Sequence, residues 1–383
     1  MSRTASSQAP IVLAAGGTGG HVFPAQAVAA ELEARGRRLV LITDRRGIGY
    51  GGALADIESY AIQAGTPLAR GPLARGLGIV KMLLGIREAG RLLRRLEPAA
   101  VIGFGGYPSV PAVIAASRSG MATAIHEQNA ILGRANRLLA SRAQRIATSF
   151  EQTSAITVAN RSKITHTGNP VRPAIMEIAS SAYPKPEAKG PLYLLITGGS
   201  QGARVFAELV PAALAKLAPE IRDRLNVAQH CRPEDIENVN RLYQASGIRS
   251  ETATFFDDLP ARLQTAHLVV CRAGASTVAE LATAGRPAIL IPYPHATDDH
   301  QSANGRALES AGGAVMLQEA ETSAERLAEH LNHYLSSPET LANAAKAALG
   351  AGRPDASQAL ADLVESLVPA NGDPSRTAQR QAA

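Results

Sequence analysis

Three glycine-rich segments in this sequence follow short apolar runs and precede helix-prone stretches: GGTGGH (16–21), GFGGYPS (103–109) and TGGSQGA (197–203). A glycine-rich loop at a helix N-terminus presents free backbone N–H groups and a positive potential, which together favour an anion such as phosphate. The first segment does not match the dinucleotide motif G-x-G-x-x-G, because Val22 occupies the position of the last small residue. We therefore expect phosphate or sugar chemistry at these loops, and not a dinucleotide site.

A βαβ unit is predicted between Leu268 and Ile291. The apolar run 268–271 is typical of a buried parallel strand, and the loop 272–276 leads into a helix placed at about 277–284. Gly285 stands where a helix C-terminal glycine is expected, and a second apolar strand follows at 288–291. Open α/β sheets bind ligands at the carboxyl ends of their strands, so the loop 272–276 is expected to line a site.

Both halves of the chain open with a strand, a glycine-rich loop and a helix, at 10–35 and at 192–217. This repetition predicts an α/β protein of two Rossmann-like domains, whose parallel sheets face an interdomain cleft. The exit loop 168–173 precedes 180–191, which has the composition of a linker, and we place the boundary near Asn169. The predicted organisation is a disordered lead at 1–9, an N-terminal domain at 10–169, a C-terminal domain at 170–367 and a disordered tail at 368–383. The last helix of the C-terminal domain, at about 355–367, is a candidate to pack back on the N-terminal domain.

Apolar periodicity places the remaining elements. Strands are expected at 39–44, 101–104, 123–129, 146–149, 164–167, 226–230 and 252–256, and helices at about 23–35, 110–117, 203–217, 323–335 and 358–367. His126, Glu127 and Asn129 end one of these strands, where side chains are expected to face the cleft.

Composition narrows the class of protein. The 383 residues suit two domains, and hydrophobic residues make up 45% of the chain. No apolar run approaches the roughly 20 residues of a membrane span, and the N-terminus lacks a signal-peptide core, so we expect a cytoplasmic chain. Cys231 and Cys271 have no metal-ligand spacing. A net charge of +6 favours an anionic partner, while an aromatic content of 4% and the lack of a recognition motif argue against nucleic acid.

One segment, 70–95, combines basic and apolar residues. Leucine, isoleucine and valine alternate there with Arg70, Arg75, Lys81, Arg87, Arg91, Arg94 and Arg95. Such a segment can be a helix that packs on the sheet and keeps a solvated basic face. It can also be a peripheral contact with an anionic membrane surface, and the two interpretations are compatible.

The glycine-rich loops occur together with HEQNA (126–130), GNPVR (168–172), CRAGASTVAE (271–280) and DDHQSAN (298–304). With these motifs in order over residues 10 to 365, the chain closely resembles the MurG family, the bacterial peptidoglycan N-acetylglucosaminyltransferases. The resemblance implies a GT-B fold and the inverting transfer of GlcNAc from UDP-GlcNAc to lipid I, which yields lipid II and UDP. It also implies an N-terminal domain that binds the acceptor at the cytoplasmic face of the inner membrane, and a C-terminal domain that binds the donor.

The resemblance implies further properties of the protein. No cofactor is expected, and because no Asp-x-Asp motif is present, no metal is expected either. The anionic lipids of the inner membrane are expected to contact the segment 70–95. Other proteins of cell-wall synthesis are possible further partners.

The resemblance also assigns donor-binding residues. Ser200 and Arg172 would meet the nucleotide phosphates, Phe256 would read the uracil through its backbone, and Gln301 would hold sugar hydroxyls. Glu280 would bind the ribose hydroxyls, although Thr277 and Glu280 also fit a helix capping box that needs no ligand. The remaining donor contacts are Thr18, Gly19, Gly20, Asn129, Ala275, Ser276, Thr277, Val278 and Ala279, and the acceptor or diphosphate loop is Gly105, Gly106 and Tyr107.

His21 is the leading candidate for the catalytic base, because the attacking 4-hydroxyl of MurNAc must lose a proton. It follows two glycines at a predicted helix N-terminus, where the helix dipole favours a neutral ring that can accept a proton. Glu127 is the alternative base, and His21 could instead only orient the loop or the acceptor diphosphate.

Other functions share this domain plan. A UDP-GlcNAc epimerase or another GT-B transferase that glycosylates a lipid from a UDP-sugar is the main alternative. A nucleotide-sugar sensor without catalytic activity is a third.

Overall fold

The computed structural model describes residues 9–17, 19–44, 52–65, 71–199 and 203–368. Contacts divide the described chain into two compact units. The first unit contains the described residues up to Gln128, the segment Leu132–Pro170 and the segment from Asp355 onward. The second unit contains Asn129–Ile131 and Val171–Pro354.

The first unit is built on a seven-stranded sheet with the order β3-β2-β1-β4-β5-β6-β7, in which every pairing is parallel. Its elements are β1 (Ile11–Ala14), α1 (Gly19–Ala34), β2 (Leu39–Thr43), β3 (Glu58–Ala61), α2 (Pro72–Leu96), β4 (Ala100–Gly103), α3 (Gly106–Arg118), β5 (Thr123–Glu127), α4 (Arg134–Leu139), β6 (Arg145–Thr148) and β7 (Ile164–His166).

The central strands are continuous apolar runs because both faces of the sheet are covered. Along β1 the side chains alternate between two hydrophobic cores: Ile11 and Leu13 join one, while Val12 and Ala14 join the other. This alternation holds the strand ends, and the loops that follow them, in fixed positions.

The second unit is built on a six-stranded sheet, also wholly parallel, with the order β10-β9-β8-β11-β12-β13. Its elements are α5 (Pro173–Ala179), β8 (Leu192–Thr197), α6 (Arg204–Ala215), α7 (Pro219–Arg222), β9 (Leu225–His230), α8 (Ile236–Ala245), β10 (Arg249–Ala253), α9 (Leu259–Thr265), β11 (Leu268–Cys271), α10 (Ala275–Ala284), β12 (Ala288–Leu290), α11 (His300–Ser310), β13 (Ala314–Met316), α12 (Ala324–Leu335) and α13 (Pro338–Ala351). The predicted fold class, α/β with two parallel sheets, is confirmed.

The last helix, α14 (Ala356–Ser366), belongs to the first unit. Its apolar face joins the core that also contains residues of α1. Arg35 forms ion pairs with Asp362 at 2.6 Å and with Glu365 at 2.7 Å, and Arg37 pairs with Glu365 at 2.6 Å. The C-terminal helix is thus attached to α1 by packing and by charge.

Two kinds of element boundary differ from the sequence prediction. Helices α1 and α3 begin at Gly19 and Gly106, several residues before the predicted starts, because one or two glycines complete each turn from strand to helix. The strand predicted at 252–256 is wrong: β10 ends at Ala253, and its residues RSETA are polar because this strand is at the edge of the sheet.

Helix α2 is packed along only part of its length. Gly78 and Gly85 are buried, and a Cβ atom at Gly85 would lie 1.8 Å from the backbone oxygen of Gln63, so the helix approaches that segment at glycine. Its N-terminal half leaves six large apolar side chains in solvent, which we call the α2 apolar surface: Leu73, Leu77, Ile79, Val80, Leu83 and Leu84, between 43% and 91% exposed. The described residues include no helix long and apolar enough to span a membrane.

Candidate active site

The second unit contains a pocket of about 760 Å³ at the carboxyl ends of β8 and β11. Its lining includes Gly199, Arg272, Gly274, Thr277 and Gln301. Pockets of this size accommodate small organic ligands. The pocket therefore lies where the sequence predicted a ligand site.

The N-terminus of α10 contributes to this pocket. Gly274 is the N-cap, and Ala275, Ser276 and Thr277 form the first turn, which contains no acidic residue. The unpaired N–H groups of such a turn attract an anion. The capping box predicted for Thr277 and Glu280 is wrong, because the helix already begins at Ala275 and both residues lie inside it.

Glu280 instead forms a bidentate ion pair with Arg172. The Nε atom of Arg172 donates to Oε1 at 2.8 Å and an Nη atom donates to Oε2 at 3.0 Å. The side chains are 15% and 30% exposed, so the pair is only partly screened by water. A carboxylate held in this way keeps further lone pairs for hydroxyl donors. Beside it in the helix, Val278 is buried and Ala279 is half-buried.

Asn129 and its neighbour Ala130 follow β5 and belong to the short segment Asn129–Ile131, which is part of the second unit. Asn304 holds both: its Nδ2 donates to Oδ1 of Asn129 at 3.1 Å, and its Oδ1 accepts from the backbone N–H of Ala130 at 2.8 Å. Nδ2 also donates to the backbone oxygen of Ala273, at 3.1 Å. Asn304 is fully buried. Asn304 belongs to the DDHQSAN motif, but the motif alone predicts no role for it.

Gln301 precedes Asn304 by one turn of α11. Its Oε1 accepts from the backbone N–H of Tyr293 at 2.9 Å, so the side chain is fixed to the loop after β12. The pocket wall at this point is thus formed by residues that hold one another in place.

Arg272 lies in the loop 272–276 that was predicted to line the site, but the sequence assigned it no role of its own. Its Nη1 donates to the backbone oxygens of Ile291 and Pro292, at 3.0 Å each, and it pairs with Glu319 at 2.6 Å. The guanidinium also lies 5.2 Å from the ring centroid of Phe206. A loop arginine is ordinarily solvated, so the sequence carried no signal that this one is 11% exposed.

Phe256 is buried beneath an arginine. The guanidinium of Arg262 lies 4.1 Å from its ring centroid, and Glu251 and Asp258 hold that guanidinium at 2.7 Å each. The Arg262 hydrogen bond lowers the pKa of the Asp258 carboxyl. Phe256 follows the edge strand β10, and the stacked Arg262 guanidinium holds its ring in place.

In the first unit, His21 lies in the first turn of α1 and is half-buried. Its Nδ1 is 2.9 Å from Oε1 of Gln128. The ring rests on the loop Gly105–Gly106, where both glycines have positive φ and a Cβ atom would come within 3.2 Å of the ring. The loop therefore needs glycine at both positions to pass beside the imidazole.

His126 and Glu127, the last two residues of β5, are both fully buried. Glu127 accepts hydrogen bonds at 2.8 Å from Nδ2 of Asn136 and from the backbone N–H of Gly133, the N-cap of α4. Its carboxylate is therefore committed to holding α4.

The other predicted residues are placed as follows. Gly20 is exposed, and Gly19 and Tyr107 are half-buried, on α1 and α3 respectively. Thr18 and Ser200 lie outside the described residues, as does Arg70. In the described ranges no group of three or more His, Cys, Asp or Glu side chains is placed to hold a metal ion.

Comparison with known proteins places this geometry in a family. A family model described as the glycosyltransferase family 28 N-terminal domain matches residues 11–148, and one described as the family 28 C-terminal domain matches residues 193–360. A curated relative from Paramagnetospirillum magneticum is 53% identical over 95% of this chain and 98% of its own length, and one from Rhodospirillum rubrum is 52% identical over 93% and 91%. Both are named UDP-N-acetylglucosamine–N-acetylmuramyl-(pentapeptide) pyrophosphoryl-undecaprenol N-acetylglucosamine transferase.

A solved structure agrees with this assignment. The crystal structure of Acinetobacter baumannii MurG is 32% identical and superposes with a TM-score of 0.76, over 93% of this chain and 99% of that one. The chain belongs to the MurG family of glycosyltransferases. The resemblance to the MurG family that the sequence motifs indicated is thereby confirmed.

More distant structures share only the fold of the MurG family. A UDP-GlcNAc 2-epimerase from Neisseria meningitidis superposes with a TM-score of 0.65 at 14% identity, over 93% of this chain. At that identity the likeness concerns architecture and carries no activity across.

Proposed function

We propose that this chain transfers GlcNAc from UDP-GlcNAc to the 4-hydroxyl of MurNAc in undecaprenyl-pyrophosphoryl-MurNAc-pentapeptide, which gives lipid II and UDP with inversion at the anomeric carbon. The observation that carries the proposal is the identity above 50%, over nearly the whole chain, to relatives named for this transfer. The second unit would bind the donor, and the first unit would bind the acceptor.

The pocket of the second unit supports the donor assignment. The first turn of α10 offers N–H groups to the diphosphate, and the Arg272 guanidinium, paired with Glu319, lines the pocket beside it. Glu280, oriented by Arg172, would accept hydrogen bonds from the two ribose hydroxyls. Gln301 and Asn129 would contact the sugar, and the backbone at Phe256 the uracil.

His21 would act as the general base. It is half-buried, it lies against the Gly105–Gly106 loop, and it has a nitrogen that can take the hydroxyl proton as the bond to the anomeric carbon forms. Glu127 is less suited to that step, because its carboxylate is buried and engaged with Asn136 and Gly133.

The α2 apolar surface supports a peripheral contact with the cytoplasmic face of the inner membrane. Exposed leucine, isoleucine and valine side chains would enter the interface, while the exposed cations of the same helix would meet anionic lipid headgroups. The acceptor carries an undecaprenyl chain, so an enzyme that uses it must work at a lipid surface.

We expect Leu83→Glu to weaken binding to anionic liposomes about tenfold, because a buried leucine contributes roughly 1.5–3 kcal/mol and a carboxylate opposes insertion. Leu83 is 59% exposed, so the substitution should leave the fold intact. Val158→Glu, at a 77% exposed position outside α2, is the matched control and should bind as the wild type does. Binding is measured by co-sedimentation with liposomes at low and high salt. Equal binding of all three proteins would show that α2 does not contact the membrane.

An epimerase is the alternative that shares the fold, and product analysis separates the two. The protein is incubated with UDP-GlcNAc, with and without a short-chain lipid I analogue, and the products are identified by mass spectrometry and sugar chromatography. The proposed transferase forms the disaccharide lipid only when the acceptor is present. Interconversion of the UDP-sugar by the protein alone would overturn the proposal.

A further inference from the structure

We propose that Gln128 positions His21 for catalysis by fixing which ring nitrogen carries the proton. This inference rests on the proposed role of His21 as the base. Gln128 directly follows β5, is buried, and is separated from His21 by 107 positions in the sequence. It would not touch the substrates and would act only through the imidazole.

The orientation of the Gln128 amide follows from its neighbours. Its Nε2 lies 2.9 Å from the backbone oxygen of Phe104, and a carbonyl oxygen can only accept a hydrogen bond, so this end of the amide is the NH2 group. The opposite end, Oε1, lies 2.9 Å from Nδ1 of His21. Because an amide oxygen has no proton, Nδ1 of His21 must be the donor.

His126 holds the amide from the other side. Gln128 Nε2 lies 3.0 Å from Nδ1 of His126, and Nε2 of His126 lies 3.2 Å from the backbone oxygen of Gly168. Burial lowers the pKa of His126 to about 4, so the ring is neutral at pH 7 and carries one proton. That proton must be on Nε2, which faces the Gly168 oxygen, and Nδ1 is then the acceptor that the Gln128 amide requires.

The hydrogen bonds of the Gln128 side chain therefore each have a fixed donor and a fixed acceptor. The Gln128 NH2 group donates to His126 and to Phe104, and the Gln128 oxygen accepts from His21. This arrangement leaves the lone pair of His21 on Nε2, the nitrogen that must receive the hydroxyl proton. A partner that holds a catalytic histidine in the correct tautomer can contribute several orders of magnitude to the rate.

The tautomer can be measured without any substrate. Long-range ¹H–¹⁵N correlation spectra of the full chain with ¹⁵N-labelled histidine report the protonated nitrogen of each ring, and His21→Ala identifies the signals of His21. We expect the Nδ1–H form in the wild type and a mixture that includes Nε2–H in Gln128→Leu. Gln244→Leu, an exposed glutamine on α8, is the control and should match the wild type. An Nε2–H tautomer of His21 in the wild type would overturn the proposal.

Kinetics test the catalytic consequence. Gln128→Leu should lower kcat about 10- to 100-fold at an unchanged KM for UDP-GlcNAc, because it removes a positioning contact and no donor contact. Gln128→Leu also removes the oxygen that accepts from Nδ1–H and thereby stabilises the imidazolium, so the acidic limb of the kcat profile should move to lower pH. A purely structural role would lower kcat without moving that limb.

The two readouts separate this inference from the base assignment. If the wild type shows Nδ1–H but Gln128→Leu leaves kcat and its acidic limb unchanged, the catalytic role of Gln128 is overturned, while His21→Ala tests the base assignment independently. Transfer of GlcNAc by the wild type would still stand as the activity of the chain.

Discussion

Replacing His21 by alanine should lower kcat for lipid I glycosylation by about 10²- to 10⁴-fold, the range that a general base contributes. The KM for UDP-GlcNAc should change less than kcat, because most of the proposed donor-binding residues belong to the second unit. His21 is half-buried at the start of α1 and packs on glycine, so its removal leaves a space that the Gly105–Gly106 loop borders. Added imidazole should therefore restore part of the rate.

His333→Ala on α12 is the matched control, because His333 is exposed and lies in the other unit. Its kcat should equal that of the wild type, with or without imidazole. A His21→Ala protein with near-normal kcat would contradict the base assignment. A loss that imidazole does not rescue, together with a lower melting temperature, would indicate a structural role for the ring.

Replacing Glu280 by alanine should raise the KM for UDP-GlcNAc about 10- to 100-fold, the ratio that corresponds to a loss of roughly 1.5–3 kcal/mol of hydrogen bonding to a charged group. The change also leaves the Arg172 guanidinium without the two bonds that now orient it. Steady-state kinetics with the natural donor and with its 2′-deoxyuridine analogue measure the effect. If Glu280 binds the ribose, the penalty of the substitution should shrink with the deoxy donor.

Glu329→Ala on the exposed face of α12 is the control for this substitution and should leave KM unchanged. An equal rise in KM for the natural and the deoxy donor would show that Glu280 acts only by holding Arg172. The ribose assignment would then be withdrawn.

The sequence predicted the central strands well and the edges poorly. Buried strands such as β1 and β11 are apolar throughout because helices cover both faces of each sheet, so their pattern is visible in the sequence. The edge strands β3 and β10 are half in solvent, and polar residues such as those of RSETA interrupt any apolar run. The starts of α1 and α3 were predicted several residues late, because a glycine-rich turn leads directly into each of these helices.

The sequence indicated which residues belong to the candidate site, but not which of their side chains contact one another. Motif resemblance named Glu280, Arg172 and Asn129, yet nothing in the sequence indicates that Glu280 pairs with Arg172 or that Asn304 fixes Asn129. The same holds for Gln128, which acquires meaning only when residues 21 and 128 are brought to 2.9 Å. Contacts between residues distant in the chain depend on the folded sheet order, which local patterns do not encode.

UDP release by this chain should require a lipid acceptor, and the stoichiometry of release measures that requirement. Purified full-length protein is mixed with excess UDP-GlcNAc and a limiting amount of a lipid I analogue, and UDP is followed in a coupled assay. We expect one UDP per acceptor molecule and no UDP above background with a 4-deoxy-MurNAc acceptor, which has no nucleophile. UDP release that proceeds without acceptor, or equally with the 4-deoxy acceptor, would contradict the proposed transfer.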